Sequence, residues 1–159
     1  MRPKPFIPEP IENDDRYVRD RTSGLVWHRS KNRILYADTD RSGVVYHSNY
    51  LRFFELGRAS LMRDTDYTYR RIEENGYVYP IIEVGVQYHT ALEYDDPMCI
   101  YTHPAELERV RLRFDYVITH EETRDIVCVG FTRHCAINPS RTPVAIDEKT
   151  RHLWHIFPK

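Results

Sequence analysis

Between residues 77 and 136 apolar and polar positions alternate with a period of two, the mark of half-buried strands. Val78, Ile82, Val84, Val86 and Tyr88 alternate with Tyr79, Glu83, Gly85, Gln87 and His89. Leu92 to Pro97 reads as a turn, and Met98, Ile100 and Thr102 open the next strand. Val110, Leu112, Phe114 and Tyr116 then alternate with Arg109, Arg111, Arg113 and Asp115. After a charged turn at Glu121–Arg124, Ile126 to Ala136 reads as a last long strand. Strands joined by such short turns are expected to be antiparallel.

Upstream the period lengthens. Tyr50, Phe53, Phe54, Gly57 and Leu61 fall at helical spacing, which predicts a helix from Ser48 to about Asp64 with Ser48 as its N-cap. Leu51, Leu56, Ala59 and Met62 make the remaining face apolar too, and a helix apolar nearly all round is expected to be buried. A polar second helix over 67–75 stops at Gly76, a natural residue just past a helix end. Val26 and Trp27 suggest the start of a strand, with Arg33-Ile34-Leu35-Tyr36 as its continuation or as a new one. Four prolines among charges in residues 1–16 predict an extended arm outside the core. In the tail, Leu153, Trp154, Ile156 and Phe157 suggest a short docked helix. The order is strand, buried helix, then consecutive strands. It predicts an α+β domain in which one antiparallel sheet of five or six strands wraps a long central helix. The expected divisions are an N-terminal arm over 1–24, the domain proper over 25–140 and a tail over 141–159.

Composition narrows the function. The 159 residues suit one domain with a substantial core. The 23 basic and 24 acidic side chains leave a net charge of −1, so nothing draws the chain to nucleic acid or anionic lipid. No stretch approaches the roughly 18 apolar residues of a membrane span. The three cysteines, Cys99, Cys128 and Cys135, are an odd and sparse set, which argues against a disulfide scaffold and for a reducing, cytoplasmic setting. Cys128 and Cys135 read as small core residues on opposite faces of one strand. His89, His103, His120 and His134 lie on separate strands without metal-ligand spacing, so no metal is expected. The chain also lacks a Gly-rich phosphate loop and a Gly-x-Ser-x-Gly elbow.

The most informative segment is Asp38-Thr39-Asp40-Arg41-Ser42-Gly43-Val44-Val45-Tyr46-His47-Ser48-Asn49-Tyr50. Two carboxylates precede a tight turn that feeds the helix. Amides at a helix start are unpaired and carry the positive end of the dipole, so they can polarise a carbonyl and hold an oxyanion. A carboxylate held nearby can attack that carbonyl or deprotonate water. The same letters also fit an ordinary Asp-x-x-Gly turn. Glu55 and Arg58, three apart, suit an ion pair on one helix face. Arg109, Arg111 and Arg113 share a strand face that suits either phosphate binding or simple solvation.

Tyr36-Ala37-Asp38-Thr39-Asp40, Val44-Val45-Tyr46-His47-x-Asn49-Tyr50 and Phe53-x-Glu55-x-x-Arg58 together resemble the signature of the hotdog-fold acyl-CoA thioesterases. The groups it is most similar to are the 4-hydroxybenzoyl-CoA thioesterases and the Tol–Pal-associated short-chain acyl-CoA thioesterases. Tyr94-Asp95-Asp96-Pro97-Met98 and Arg113-Phe114-x-Tyr116-x-Ile118 extend the resemblance over about residues 33–138. It implies Asp40 as the catalytic carboxylate, either nucleophile or general base, and the His47 amide as oxyanion donor, with its imidazole as a further contact. Val45 and Tyr46 would line the site and Glu55 would lie near the acyl pocket. Arg109, Arg111 and Arg113 would meet the phosphates of coenzyme A, which enters as substrate; no other cofactor is implied. Asp38 is left as a structural acid of the loop. The resemblance further implies a homodimer or homotetramer with the site at the subunit boundary. Two other functions stay open: a non-catalytic acyl-CoA binder or sensor, and a hotdog 3-hydroxyacyl dehydratase using Glu55.

Overall fold

The computed structural model describes residues 2–159. Three strands come first: β1 (Pro8–Ile11), β2 (Asp14–Asp20) and β3 (Val26–Arg33). Two helices follow, α1 (Asn49–Asp64) and α2 (Tyr69–Glu74). Then come β4 (Ile81–Tyr88), β5 (Pro97–Leu107), β6 (Arg111–His120), β7 (Ile126–Cys135) and finally α3 (Glu148–Ile156). All seven strands form one antiparallel sheet in the order β1-β2-β3-β5-β6-β7-β4.

The expected count of five or six strands is corrected to seven, and the correction lies in the N-terminal segment. The supposed arm is a hairpin turning at Asn13 (φ 61°) and laid against β3. Pro8 and Pro10 sit on its outer strand, the one place in a sheet where a missing N–H costs no ladder bond. Val18 is fully buried, and the Phe6 ring packs edge-on against Trp27 (5.5 Å) and Tyr101 (4.8 Å). The prolines hide this strand because they mask its apolar alternation.

Helix α1 lies on one face of the sheet over β3, β5 and β6. Its buried side carries Tyr50, Phe53, Phe54, Gly57, Arg58, Leu61 and Met62. Gly57 sets the approach distance, since a Cβ there would lie 2.6 Å from both Ile100 Cγ2 and Thr102 Oγ1. Phe54 stacks on Tyr116 at 4.3 Å and rests over Gly130, where a Cβ would meet its ring at 2.7 Å. The expectation of a helix buried all round is not met, because Leu51 and Leu56 remain exposed. Ser48 occupies the N-cap position but has helical dihedrals and forms no side-chain cap bond. At α2 the stop is as read, with Gly76 at φ 86°, and the start is capped by Thr68, which accepts from the Arg71 amide.

One carboxylate ties the start of the tail helix to the core. Asp147 caps α3 through the Thr150 amide and hydroxyl, and it also accepts the hydroxyls of Tyr67 (2.7 Å) and Tyr79 (2.5 Å). Those bonds and the tyrosines' burial hold both phenols protonated, with Tyr67 raised to about 12. Leu153 and Phe157 are buried as expected, whereas Ile156 points outward.

One polar chain crosses the core. Arg58, only 7% exposed, donates to the hydroxyls of Tyr69 (2.9 Å) and Tyr116 (3.4 Å). Tyr116 lies 2.7 Å from the Thr132 hydroxyl, which lies 2.8 Å from His134 Nε2. His134 Nδ1 faces the Tyr79 carbonyl at 2.9 Å, and a carbonyl only accepts, so Nδ1 carries the proton. This orders the chain: Arg58 to Tyr116 to Thr132 to His134 to Tyr79. Burial pushes His134 down to about 4. A histidine depressed in the folded state stabilises the fold fully above its unfolded value near 6.5, and that contribution is lost as pH falls toward about 4.

Urea unfolding should therefore show wild-type stability falling between pH 7 and pH 4. His134→Gln, which offers one donor and one acceptor without titrating, should lose roughly 3 kcal/mol less over that range; an equal loss in both would contradict the burial argument. Gly57→Ala should cost about 1–3 kcal/mol through overpacking against β5, read as a lowered Tm.

Candidate functional site

The Asp38–Tyr50 segment wraps from β3 onto the start of α1. After β3 the chain makes a 3-10 turn over Tyr36–Asp38. Asp38 is 5% exposed. Its Oδ2 accepts the Leu35 amide at 2.8 Å and its Oδ1 pairs with Arg52 of α1. Its carbonyl accepts the Tyr46 amide and the Asn49 side chain (3.0 and 2.8 Å). The assignment of Asp38 to the loop framework agrees with these bonds. Asn49 and Arg52, unread in the sequence, are the helix's half of the clamp; their spacing of three on α1 is the signal that marked them.

Asp40 sits one bridge further along. Its amide donates to the Val44 carbonyl (2.8 Å), its carbonyl accepts from Gly43 (3.0 Å), and Gly43 has φ 87°. The turn is docked by the Val45 amide on the Leu92 carbonyl (2.9 Å) and by the Val44–Glu93 bridge. Asp40 is half-buried. Its Oδ1 accepts both the amide (2.8 Å) and the hydroxyl (2.5 Å) of Ser42. The Ser42 hydroxyl, above all, holds the Asp40 carboxyl below the usual range; the amides of Ser42 and Val44 and the nearby His47 add to it. A carboxylate lowered in this way is ionised at neutral pH.

Beyond the turn, the Tyr46 amide is tied to Asp38 and the Asn49 amide to the Tyr46 carbonyl (2.9 Å). Between them the amides of His47 and Ser48 have no hydrogen-bond acceptor among the described residues. They stand at the positive end of α1. The His47 carbonyl accepts the Tyr88 hydroxyl (2.8 Å), which ties this helix start to the end of β4. Tyr88 was missed in the sequence because the contact spans 41 residues.

The other candidates separate. Tyr46 is exposed with its ring 4.5 Å from that of His47, whereas Val45 is buried in the core beneath them. Glu55 is exposed on α1 and makes no ion pair among the described residues. The expected Glu55–Arg58 pair does not form, because Arg58 turns inward to the tyrosines. Arg109 lies in the bend before β6, so it is not on a strand face with the other two. Arg111 and Arg113 start β6 at the end opposite His120, which pairs with Met98 on the Asp40 side of the sheet. At ~3.4 Å per residue that is roughly 30 Å of strand. Arg113 is engaged by Asp115 (2.7 Å) and lies 4.2 Å over the Phe131 ring, while Arg109 and Arg111 are exposed. Within the chain the structure thus joins Asp40, Tyr46 and His47 and leaves the arginines apart.

Comparison with known proteins identifies the family. The Bacillus subtilis protein YneP is 36% identical over 130 residues, spanning 80% of this chain and 94% of its own. The acyl-CoA thioesterase YbgC of Haemophilus influenzae is 26% identical over 130 residues, 77% of this chain and 90% of that protein. The crystal structure of a DHNA-CoA thioesterase from Staphylococcus aureus superposes with a TM-score of 0.74 at 25% identity, covering 81% of this chain and 86% of that one. Residues 34–153 match the profile of the thioesterase-like superfamily. The segment that carries the candidate carboxylate and the free amides falls wholly within that match, and the chain belongs to the thioesterase-like superfamily.

Proposed function

We propose that this thioesterase hydrolyses acyl-CoA thioesters with the Asp40 carboxylate as the reacting acid and the His47 and Ser48 amides as donors to the thioester oxygen. The observation that carries the reading is the pairing of an ionised carboxylate with two unpaired amides at a helix start, both fixed by the same loop. In the reaction the C–S bond of the thioester breaks, water supplies the new C–O bond, and coenzyme A leaves as the thiol. Asp40 either attacks the carbonyl carbon, giving an anhydride that water opens, or takes a proton from the attacking water. Both routes pass through a tetrahedral oxyanion, which the two amides and the dipole of α1 stabilise. Glu55 is exposed on α1 and makes no hydrogen bond or ion pair with a histidine or any other side chain among the described residues, which disfavours the dehydratase reading.

The proposal includes a second copy of the chain. Among the described residues β4 is an edge strand that pairs only with β7, and Ile81, Ile82, Val84 and Tyr88 on it are exposed. Leu51 and Leu56 of α1 add to the same apolar exposure. Pairing β4 with β4 of a partner continues the sheet and covers this surface. Tyr88 joins that edge to the carbonyl of His47, so the site borders the boundary.

Thiol release from a panel of aliphatic, aromatic and branched acyl-CoAs should show turnover of at least one, and Asp40→Asn should reduce kcat for it by about 1,000-fold or more. Near-wild-type turnover in that variant would sink the assignment, and binding without release by the wild type would favour the sensor. Analytical ultracentrifugation should show a dimer or tetramer that Val84→Asp shifts toward monomer; a monomeric wild type would refute the β4 pairing.

A further inference from the structure

We infer that Ser42 is a positioning residue for the reacting carboxylate: its hydroxyl fixes Asp40 Oδ1 so that Oδ2 is the oxygen presented to the thioester carbon or to water. The inference rests on the reading of Asp40 given above. Its evidence is that both donors of Ser42, amide and hydroxyl, converge on the same oxygen. A carboxylate can rotate about its Cβ–Cγ bond with little cost, and the two oxygens are otherwise equivalent. Two bonds to Oδ1 remove that equivalence.

The hydroxyl is not needed to make the turn. The turn closes through the backbone bonds between Asp40 and Val44 and between Gly43 and Asp40. Gly43 supplies the positive φ, and the Ser42 amide alone completes the side-chain-to-backbone loop. What the hydroxyl adds is a short charge-assisted bond of 2.5 Å in an exposed segment, where it buries nothing and packs against nothing in the core. An interaction in such a place acts on its acceptor.

The charged and titratable groups around Asp40 come from three sides. Its own loop carries Arg41 and Asp38, the latter bound to Arg52 of α1. The helix start brings His47, which favours the carboxylate form. The β4–β5 turn brings Glu93 through its bridge to Val44, and the end of β4 brings Tyr88 against His47. None of these is hydrogen-bonded to Ser42 among the described residues, so a shift in Asp40 titration on Ser42 substitution reports the bond to Asp40.

The test compares wild type, Ser42→Ala, Ser42→Thr and Asp40→Asn. Asp40 is followed by carboxyl ¹³C NMR titration, and kcat and kcat/KM are followed against pH for the best acyl-CoA of the panel. Loss of the hydroxyl should raise the Asp40 midpoint and move the acid limb of kcat/KM up by about half to one pH unit. It should lower kcat about tenfold with KM changed less than about twofold. Ser42→Thr should restore both. An Asp40 midpoint unchanged in Ser42→Ala overturns the inference whatever the turnover. So does a Ser42→Ala enzyme with wild-type kcat and pH profile while Asp40→Asn is inactive. Retained activity in Asp40→Asn overturns the underlying reading instead, and the NMR titration still decides whether Ser42 holds the carboxylate.

Discussion

Asp38 commits both carboxylate oxygens and its carbonyl inside the chain: to the Leu35 amide, to Arg52, and to the Tyr46 amide and Asn49 side chain. These bonds join the end of β3 to the first turn of α1, and the candidate site lies between the two anchors. A nearly buried carboxylate is stable only when its lone pairs are filled, and one left unpaired costs several kcal/mol. The loop therefore has little freedom to drift. Asp40, two residues on, inherits this rigidity, and the amides of His47 and Ser48 are left without acceptors because the amides on either side of them are taken. A framework acid that is fully satisfied thus stands beside a second carboxylate, Asp40, whose bonds among the described residues fall on one oxygen only.

The same contrast runs through the core. The chain from Arg58 to Tyr79 is closed at every link, with each hydroxyl donating onward and accepting from behind. It places a cation beneath α1 without a carboxylate partner and distributes that charge over phenol and hydroxyl dipoles. Gly57 and Gly130 let α1 and Phe54 settle close enough to the sheet for these contacts. The helix that presents the amides at one end is therefore fixed along its length by packing and in its middle by hydrogen bonds. Such fixity lets helix-end donors act without reorganising during a reaction.

How much of this was legible depended on range. The 3.6-residue pattern from Tyr50 to Leu61 gave α1 almost to the residue, and the alternation after residue 77 gave β4 to β7, because both signals come from near neighbours. The site loop was legible for the same reason: Asp40, Gly43 and His47 lie within eight residues. The arm was misread because prolines carry an exclusion from inner strands, and an outer strand next to a fully buried Val18 satisfies that exclusion differently. Arg58 was misread as the partner of Glu55 because helical spacing tells which residues are adjacent and not which way a long side chain turns. The partners it takes, Tyr69 and Tyr116, are 11 and 58 residues away. The clamp of Asp147 on Tyr67 and Tyr79 spans 80 and 68 residues and has no local trace at all.

The two faces of the sheet point the same way on assembly. On the face away from α1, Arg113, Asp115, Glu106, Arg133 and Glu83 form a connected set of ion pairs, and Arg113 covers Phe131, whose ring in turn lies on Gly85. Charges already paired to one another gain little by being desolvated against a second surface, so that part of the sheet favours staying in water. On β4 the outer edge is unpaired among the described residues and Ile81, Val84 and Tyr88 are exposed, as are Leu51 and Leu56 of α1. There, burial recovers main-chain hydrogen bonds and apolar area together. The asymmetry favours association through the β4 edge, the same edge whose Tyr88 grips the carbonyl of His47. Association at that edge would bear directly on the helix end that holds the free amides, through the bond from the Tyr88 hydroxyl to the His47 carbonyl.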